Sequence, residues 1–183
     1  MMFLAGPDNK IATPNARARR TMNDDVQTTP EFAKRIIDYF TPQFKADDKF
    51  LEPCRGDGAF YYNLPEPRDW CEIDMGRDFL TYDGYANWII TNFPWSGKVL
   101  RPLVRKAASI SDNLVHLIRI HNILGTFARQ RDYMEQGHRL KEIVVVPWKG
   151  SFVNKAPEGF CLGVFHTQKN YTGDCKFTYW TNK

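Results

Sequence analysis

The stretch Phe50-Leu51-Glu52-Pro53-Cys54-Arg55-Gly56-Asp57-Gly58-Ala59-Phe60 decides the fold. A short apolar start ends in an acid, and a proline leads into a tight turn with glycines two residues apart. Glycine there permits positive φ and lets the backbone approach a ligand with no Cβ in between. An open α/β sheet takes its ligand at such a strand-to-helix turn, beyond the carboxyl ends of its strands.

Downstream, Trp70-Cys71-Glu72-Ile73-Asp74 reads as a second strand ending in carboxylates placed to accept from ribose hydroxyls. Gly76-Arg77-Asp78-Phe79-Leu80 follows, with an acid and an aromatic suited to the edge and face of adenine. The apolar run Trp88-Ile89-Ile90-Thr91 then delivers Asn92-Phe93-Pro94-Trp95. Pro94 biases Phe93 toward extended backbone. Asn92 offers a side-chain carbonyl beside the main-chain carbonyl of Phe93, so two acceptors converge on one NH2 group, and Trp95 offers a flat face for a ring.

Together these residues resemble the class I S-adenosylmethionine-dependent methyltransferases, in particular the amino-methylating group that includes the N6-adenine DNA methyltransferases. The resemblance spans roughly residues 24–166 and five ordered motifs. Gln27-Thr28-Thr29-Pro30 is similar to the threonine-proline segment near the cofactor's methionine carboxylate. Glu52-Pro53-Cys54-Arg55-Gly56-Asp57-Gly58 matches the glycine loop, Glu72 the ribose-binding acid, and Asp78-Phe79 the pair around the adenine. Asn92-Phe93-Pro94-Trp95 matches the catalytic pattern, with Phe93 where the family usually has proline. The span from Asp74 to Asp78 is too short for the helix of most relatives, and the target-recognition domain of the family is not evident.

The resemblance implies a Rossmann-like, mostly parallel sheet with helices on both faces and a C-terminal antiparallel strand. It assigns Asn92, Phe93, Pro94 and Trp95 to catalysis. It assigns Thr28, Thr29, Pro30, Glu52, Pro53, Gly56, Gly58, Glu72, Asp78 and Phe79 to S-adenosylmethionine, with no metal. Asp74 competes with Glu72 for the ribose. The implied reaction is methyl transfer to adenine N6 in DNA. The alternatives are an RNA or protein amino-methyltransferase, or a catalytically silent relative that binds nucleic acid or a partner chain.

Length and composition agree with one domain. The chain has 183 residues, of which 43% are hydrophobic, enough for a substantial core. No run approaches the ~20 apolar residues of a membrane span, and Cys54, Cys71, Cys161 and Cys175 form no close pair, so reduced thiols in a cytoplasm are expected. Net charge is +4, unevenly spread. Residues 21–96 hold 7 Lys/Arg against 14 Asp/Glu, a balance of −7, and residues 97–155 hold 11 against 4, a balance of +7. An acidic half suits a cofactor carrying sulfonium and ammonium groups; a basic half suits a phosphate backbone. A homodimer is compatible with so small a chain.

Residues 1–23 read as a flexible basic arm, and 24–183 as one catalytic domain without a recognition module. Helices are expected over 30–40, 57–64, 98–109 (starting near Leu100 because of Pro102) and 126–136. Strands are expected over 50–52, 70–73, 88–91, 113–120, 142–146 and 159–166, the last antiparallel. Trp148 and Phe152 are candidate pocket residues. His116 and His121 flank the end of a strand and are expected to make structural hydrogen bonds, whereas the sequence names no partner for His138 and His166.

Overall fold

The computed structural model describes residues 26–147, 151–153 and 161–181, so the expected arm and Trp148 lie outside the described residues. Strands β1 (Phe50–Glu52), β2 (Arg68–Trp70), β3 (Ala86–Thr91), β4 (Ser111–Arg119), β5 (His138–Val146), β6 (Leu162–Lys169) and β7 (Lys176–Tyr179) form one sheet ordered β2-β1-β3-β4-β6-β5-β7. β1 to β4 run parallel, β6 is antiparallel to both β4 and β5, and β7 lies parallel to β5. The helices are α1 (Pro30–Phe40), α2 (Gly97–Ser109), the short α3 (His121–Leu124) and α4 (Phe127–Met134).

Side-chain alternation along the strands decides what covers each face. Trp88 of β3, Val115 of β4 and His166 of β6 share one face by register. There α1 lays Phe40 against Trp88 and His166, with ring centroids 6.3 and 5.2 Å apart. Thr29 caps α1 and Pro30 opens it, as its sequence predicts. His116 and Phe165 sit on the opposite face, where Tyr133 of α4 donates to or accepts from His116 Nε2 at 2.8 Å. The buried Asp132 of α4 accepts from Arg101 of α2, fastening those two helices together. Helices therefore cover both faces, as expected.

Four local expectations change. The helix expected over 57–64 is a single 3-10 turn, Tyr61–Asn63, because Gly58 at φ +91° cannot continue a right-handed helix. The second strand lies at Arg68–Trp70 rather than 70–73. Glu72 caps the next turn by accepting from Asp74 N, which turns the chain into a 3-10 turn over Ile73–Met75. α2 begins at Gly97 despite Pro102 inside it. β7 had no counterpart in the sequence reading; two of its residues, Phe177 and Tyr179, are exposed and carry no burial pattern. The abbreviation between β2 and β3 is real: 3-10 turns fill it and β2 is left at the sheet edge.

His116 and His166 are each wholly buried, and desolvation lowers both to about 3. An unfolded chain takes up these protons near pH 6.5 and the folded chain does not, so their contribution is present above that pH and lost below it. Urea unfolding should show stability falling between pH ~6.5 and ~3, by up to about 1.4 kcal/mol per pH unit for each histidine. His166→Gln should make that decline shallower, and an unchanged slope would contradict this assignment.

Candidate active site

Parallel pairing of β1 with β3, Phe50 opposite Trp88 and Leu51 opposite Ile89, brings the glycine loop and residues 92–95 to the same sheet edge. Between them lies a cleft of about 1060 Å³, measured out to its open mouth. Thr28, Pro53, Gly56, Glu72, Asp78, Phe79, Asn92 and Pro94 line it. Eight of the expected site residues thus share one cleft.

The glycine loop is held by its neighbours. Gly56 N donates to Glu72 Oε2 at 2.7 Å, and Arg55 N donates to the Cys71 carbonyl at 2.9 Å. Glu72 is buried at the cleft wall, whereas Asp74 is exposed and off the wall. Of the two acids weighed for the ribose, Glu72 is the one on the cleft wall. The two glycines differ: a Cβ on Gly56 (φ +51°) meets open space, but one on Gly58 (φ +91°) lies 2.5 Å from the Tyr62 ring. Gly58 does not line the cleft; it gives Tyr62 room to pack.

Glu52 lies beneath this wall, 1% exposed. Its Oε1 accepts from Thr91 Oγ1 at 2.5 Å and from Cys54 N at 3.3 Å, while Oε2 is buried with no hydrogen-bond partner. Burial pushes its pKa well above the ordinary carboxylate range, the Thr91 and Cys54 bonds opposing this only in part. Thr29 and Pro30 are likewise off the cleft, spent on the cap and first turn of α1. Thr28 faces it, with Oγ1 buried and without a hydrogen-bond partner.

The Asn92 amide is fixed at both ends. Its Nδ2 donates to the Val26 carbonyl at 2.8 Å, and its Oδ1 accepts from Trp95 Nε1 at 3.0 Å. Phe93 is 1% exposed, with its ring centroid 6.5 Å from Phe79 and 5.7 Å from His116. Its side chain thus turns into the core and away from the cleft. Trp95 is also buried: the Arg119 guanidinium lies 4.8 Å from its ring centroid, and Phe152 packs edge-on at 5.5 Å. The flat face expected of Trp95 is covered.

Sequence reasoning missed the part of the cleft wall that the helix after the tetrapeptide supplies. Lys98, Val99, Pro102 and Leu103 of α2 supply it. Their spacing marks one face of a helix that starts right after the tetrapeptide, and that was the available signal. Pro102 lacks the N–H that the Lys98 carbonyl needs at i+4, so the helix loses one internal bond beside the cleft. Among the described residues, no cluster of His, Cys, Asp and Glu is arranged to hold a metal ion, and no helix is long and apolar enough to cross a membrane.

With this geometry in place, solved structures supply the comparison. Magnesium protoporphyrin IX methyltransferase from Synechocystis PCC 6803, solved with bound S-adenosylmethionine, superposes with a TM-score of 0.53 at 10% identity, over 91% of this chain and 99% of its own. This chain has the fold of the class I S-adenosylmethionine-dependent methyltransferases. A methyltransferase from Clostridium acetobutylicum matches at TM-score 0.53 and 8% identity, covering 85% of this chain and 94% of that one. The M protein of the type I restriction enzyme EcoKI matches at TM-score 0.53 and 10% identity, over 76% of this chain. The match covers only 43% of the M protein's own length. No protein-family profile matches the sequence, and no curated protein matches it.

The contrast between the glycines is measurable. Gly56→Ala should cost about 1 kcal/mol, the backbone term alone. Gly58→Ala should cost about 2–3 kcal/mol, because the Tyr62 ring must also move. Equal losses in urea unfolding would contradict the packing role of Gly58.

Proposed function

We propose that this chain transfers a methyl group from S-adenosylmethionine to an exocyclic amino nitrogen, adenine N6 in DNA being the substrate its residues fit best. The observation that carries this reading is that Asn92, with its amide fixed, shares one cleft with Thr28, Gly56, Glu72 and Asp78.

The residues fit the cofactor. Thr28 brings a buried hydroxyl that lacks a protein partner, suited to a carboxylate. Gly56 leaves its Cβ position open. Glu72 puts a buried carboxylate on the wall, where sugar hydroxyls need acceptors. Asp78 and Phe79 offer an acceptor and a ring for the base, and Val99 and Leu103 offer an apolar surface opposite. Bound there, S-adenosylmethionine supplies an electrophilic methyl group on sulfur.

An exocyclic adenine amine is a weak nucleophile because its lone pair is delocalised into the ring. Asn92 Oδ1 accepts one bond from Trp95 and keeps a second lone pair for an amine hydrogen. The Phe93 carbonyl would take the other hydrogen, and its phenylalanine side chain, buried in the core, leaves that approach clear. Two acceptors held in place favour a pyramidal nitrogen with its lone pair directed outward. Positioning and preorganised dipoles then supply the acceleration. A base in duplex DNA must leave the stack to reach such a site. We propose 24–183 as one catalytic domain, with residues 97–155 bearing the basic surface.

A second reading, a chain that binds cofactor and nucleic acid without turnover, draws on one observation: Arg119 and Phe152 cover Trp95. The test of both is incubation with methyl-labelled cofactor and unmethylated DNA, followed by nucleoside analysis. The expected product is N6-methyladenine, with Asn92→Ala reducing the rate at least about 100-fold. Glu72→Gln should weaken cofactor binding about tenfold. Cofactor binding without incorporation into any nucleic acid favours the silent reading, and an Asn92→Ala variant as active as wild type sinks the assigned chemistry.

A further inference from the structure

The corner joining α3 to α4 stands at the carboxyl end of β4, beside the tetrapeptide. It is anchored there twice: Asn122 Nδ2 donates to the Trp95 carbonyl at 3.5 Å, and Arg119 stacks on the Trp95 ring. Its outer side is of a different character. Phe127, the first residue of α4, is 68% exposed, and Leu124 is 41% exposed. α4 is fixed to the protein by its buried Asp132 and Tyr133, so the fold gains little by placing Phe127 where it is. Phe127 is thus an exposed aromatic ring on a corner anchored to Trp95, free to offer its face to a planar ligand.

The charged side chains of the corner's own sequence have one sign. Residues 119–131 contain Arg119, His121, Arg129 and Arg131 and no Asp or Glu. Arg129 Nη1 donates to the His121 carbonyl at 2.9 Å, which holds Arg129 against the corner. Burial, with the positive charges of Arg119 and Arg129, holds His121 below its ordinary value. The acids further along α4 are already paired, Asp132 with Arg101 and Arg105, and Glu135 with Arg105 and Arg131. An exposed ring near Arg129, in a stretch of sequence without an acid, has the chemistry of a single-strand platform: bases stack on the ring and the backbone follows the cation.

We propose that the corner over residues 119–131 receives the DNA strand next to the target base, with Phe127 stacking on an unpaired base and Arg129 taking a backbone phosphate. This rests on the reading of the chain as a DNA amino-methyltransferase, because extruding a target base leaves neighbouring bases without their stack. The corner then holds the distorted strand at the point where it enters the site.

Fluorescence anisotropy of the full chain with a labelled, adenine-containing single-stranded deoxyoligonucleotide tests the proposal. Phe127→Ala should weaken binding about tenfold. Arg129→Gln should weaken it severalfold and reduce the slope of log affinity against log salt by about 0.7. Calorimetric affinity for S-adenosylhomocysteine should be unchanged in both variants, which shows that they are folded. Wild type that does not bind the oligonucleotide, or binding that Phe127→Ala leaves unmoved, overturns the proposal. So does a glutamate-rich peptide that binds with the same dependence on Phe127, since the corner then serves an acidic protein. Oligonucleotide binding through Phe127 with no methyl incorporation would refute the enzymatic reading alone. Methylation whose KM for DNA ignores both variants would refute this surface alone.

Discussion

Glu52 Oε1 accepts from Thr91 on β3 and from Cys54 at the start of the glycine loop. That one buried carboxyl joins the two halves of the site. β1 has three residues, too few to fix the loop beyond it by backbone pairing alone. The side-chain bond to Thr91 sets the spacing of two loops that belong to different strands. Glu72 continues the arrangement from β2 by holding Gly56 N. Acidic side chains from consecutive strand ends thus position the glycine loop from below and from the side, and Gly56 stays on the cleft wall.

A second set of bonds ties residues 92–95 to the same frame. Val26 accepts from Asn92, Gln27 accepts from Val153 N, and Thr28 pairs with Phe152 across a short antiparallel bridge. Gln27 and Thr28 line the cleft, while Phe152 packs on Trp95. Movement of Phe152 off Trp95 passes through Thr28, which lines the cleft. On the reading proposed here, cofactor and target binding are coupled through this bridge, and reciprocally so.

Much of this was legible in the sequence because the signals were local. Thr29-Pro30 announced a helix start, and the acid-proline-glycine run announced a strand-to-loop transition at a ligand edge. The antiparallel β6 followed from alternating apolar residues. What stayed hidden depended on partners far along the chain. Gly58 reads like a ligand-facing glycine until Tyr62 is seen against it. Trp95 reads like an open stacking face until Arg119, 24 positions on, is found over it. The α2 wall stayed hidden because Pro102 reads as a helix breaker although it belongs to the stripe that faces the cleft. β7 was missed because edge strands of four residues with exposed side chains carry no periodicity to read.

Hydrogen exchange measured with and without S-adenosylhomocysteine tests the central claim most directly, because it asks whether one cleft gathers four separate segments. The account predicts slowed exchange at 26–28, 54–57, 72–80 and 98–103 together, with 161–169 unaffected. Protection confined to a single segment, or absent from the glycine loop, would contradict it.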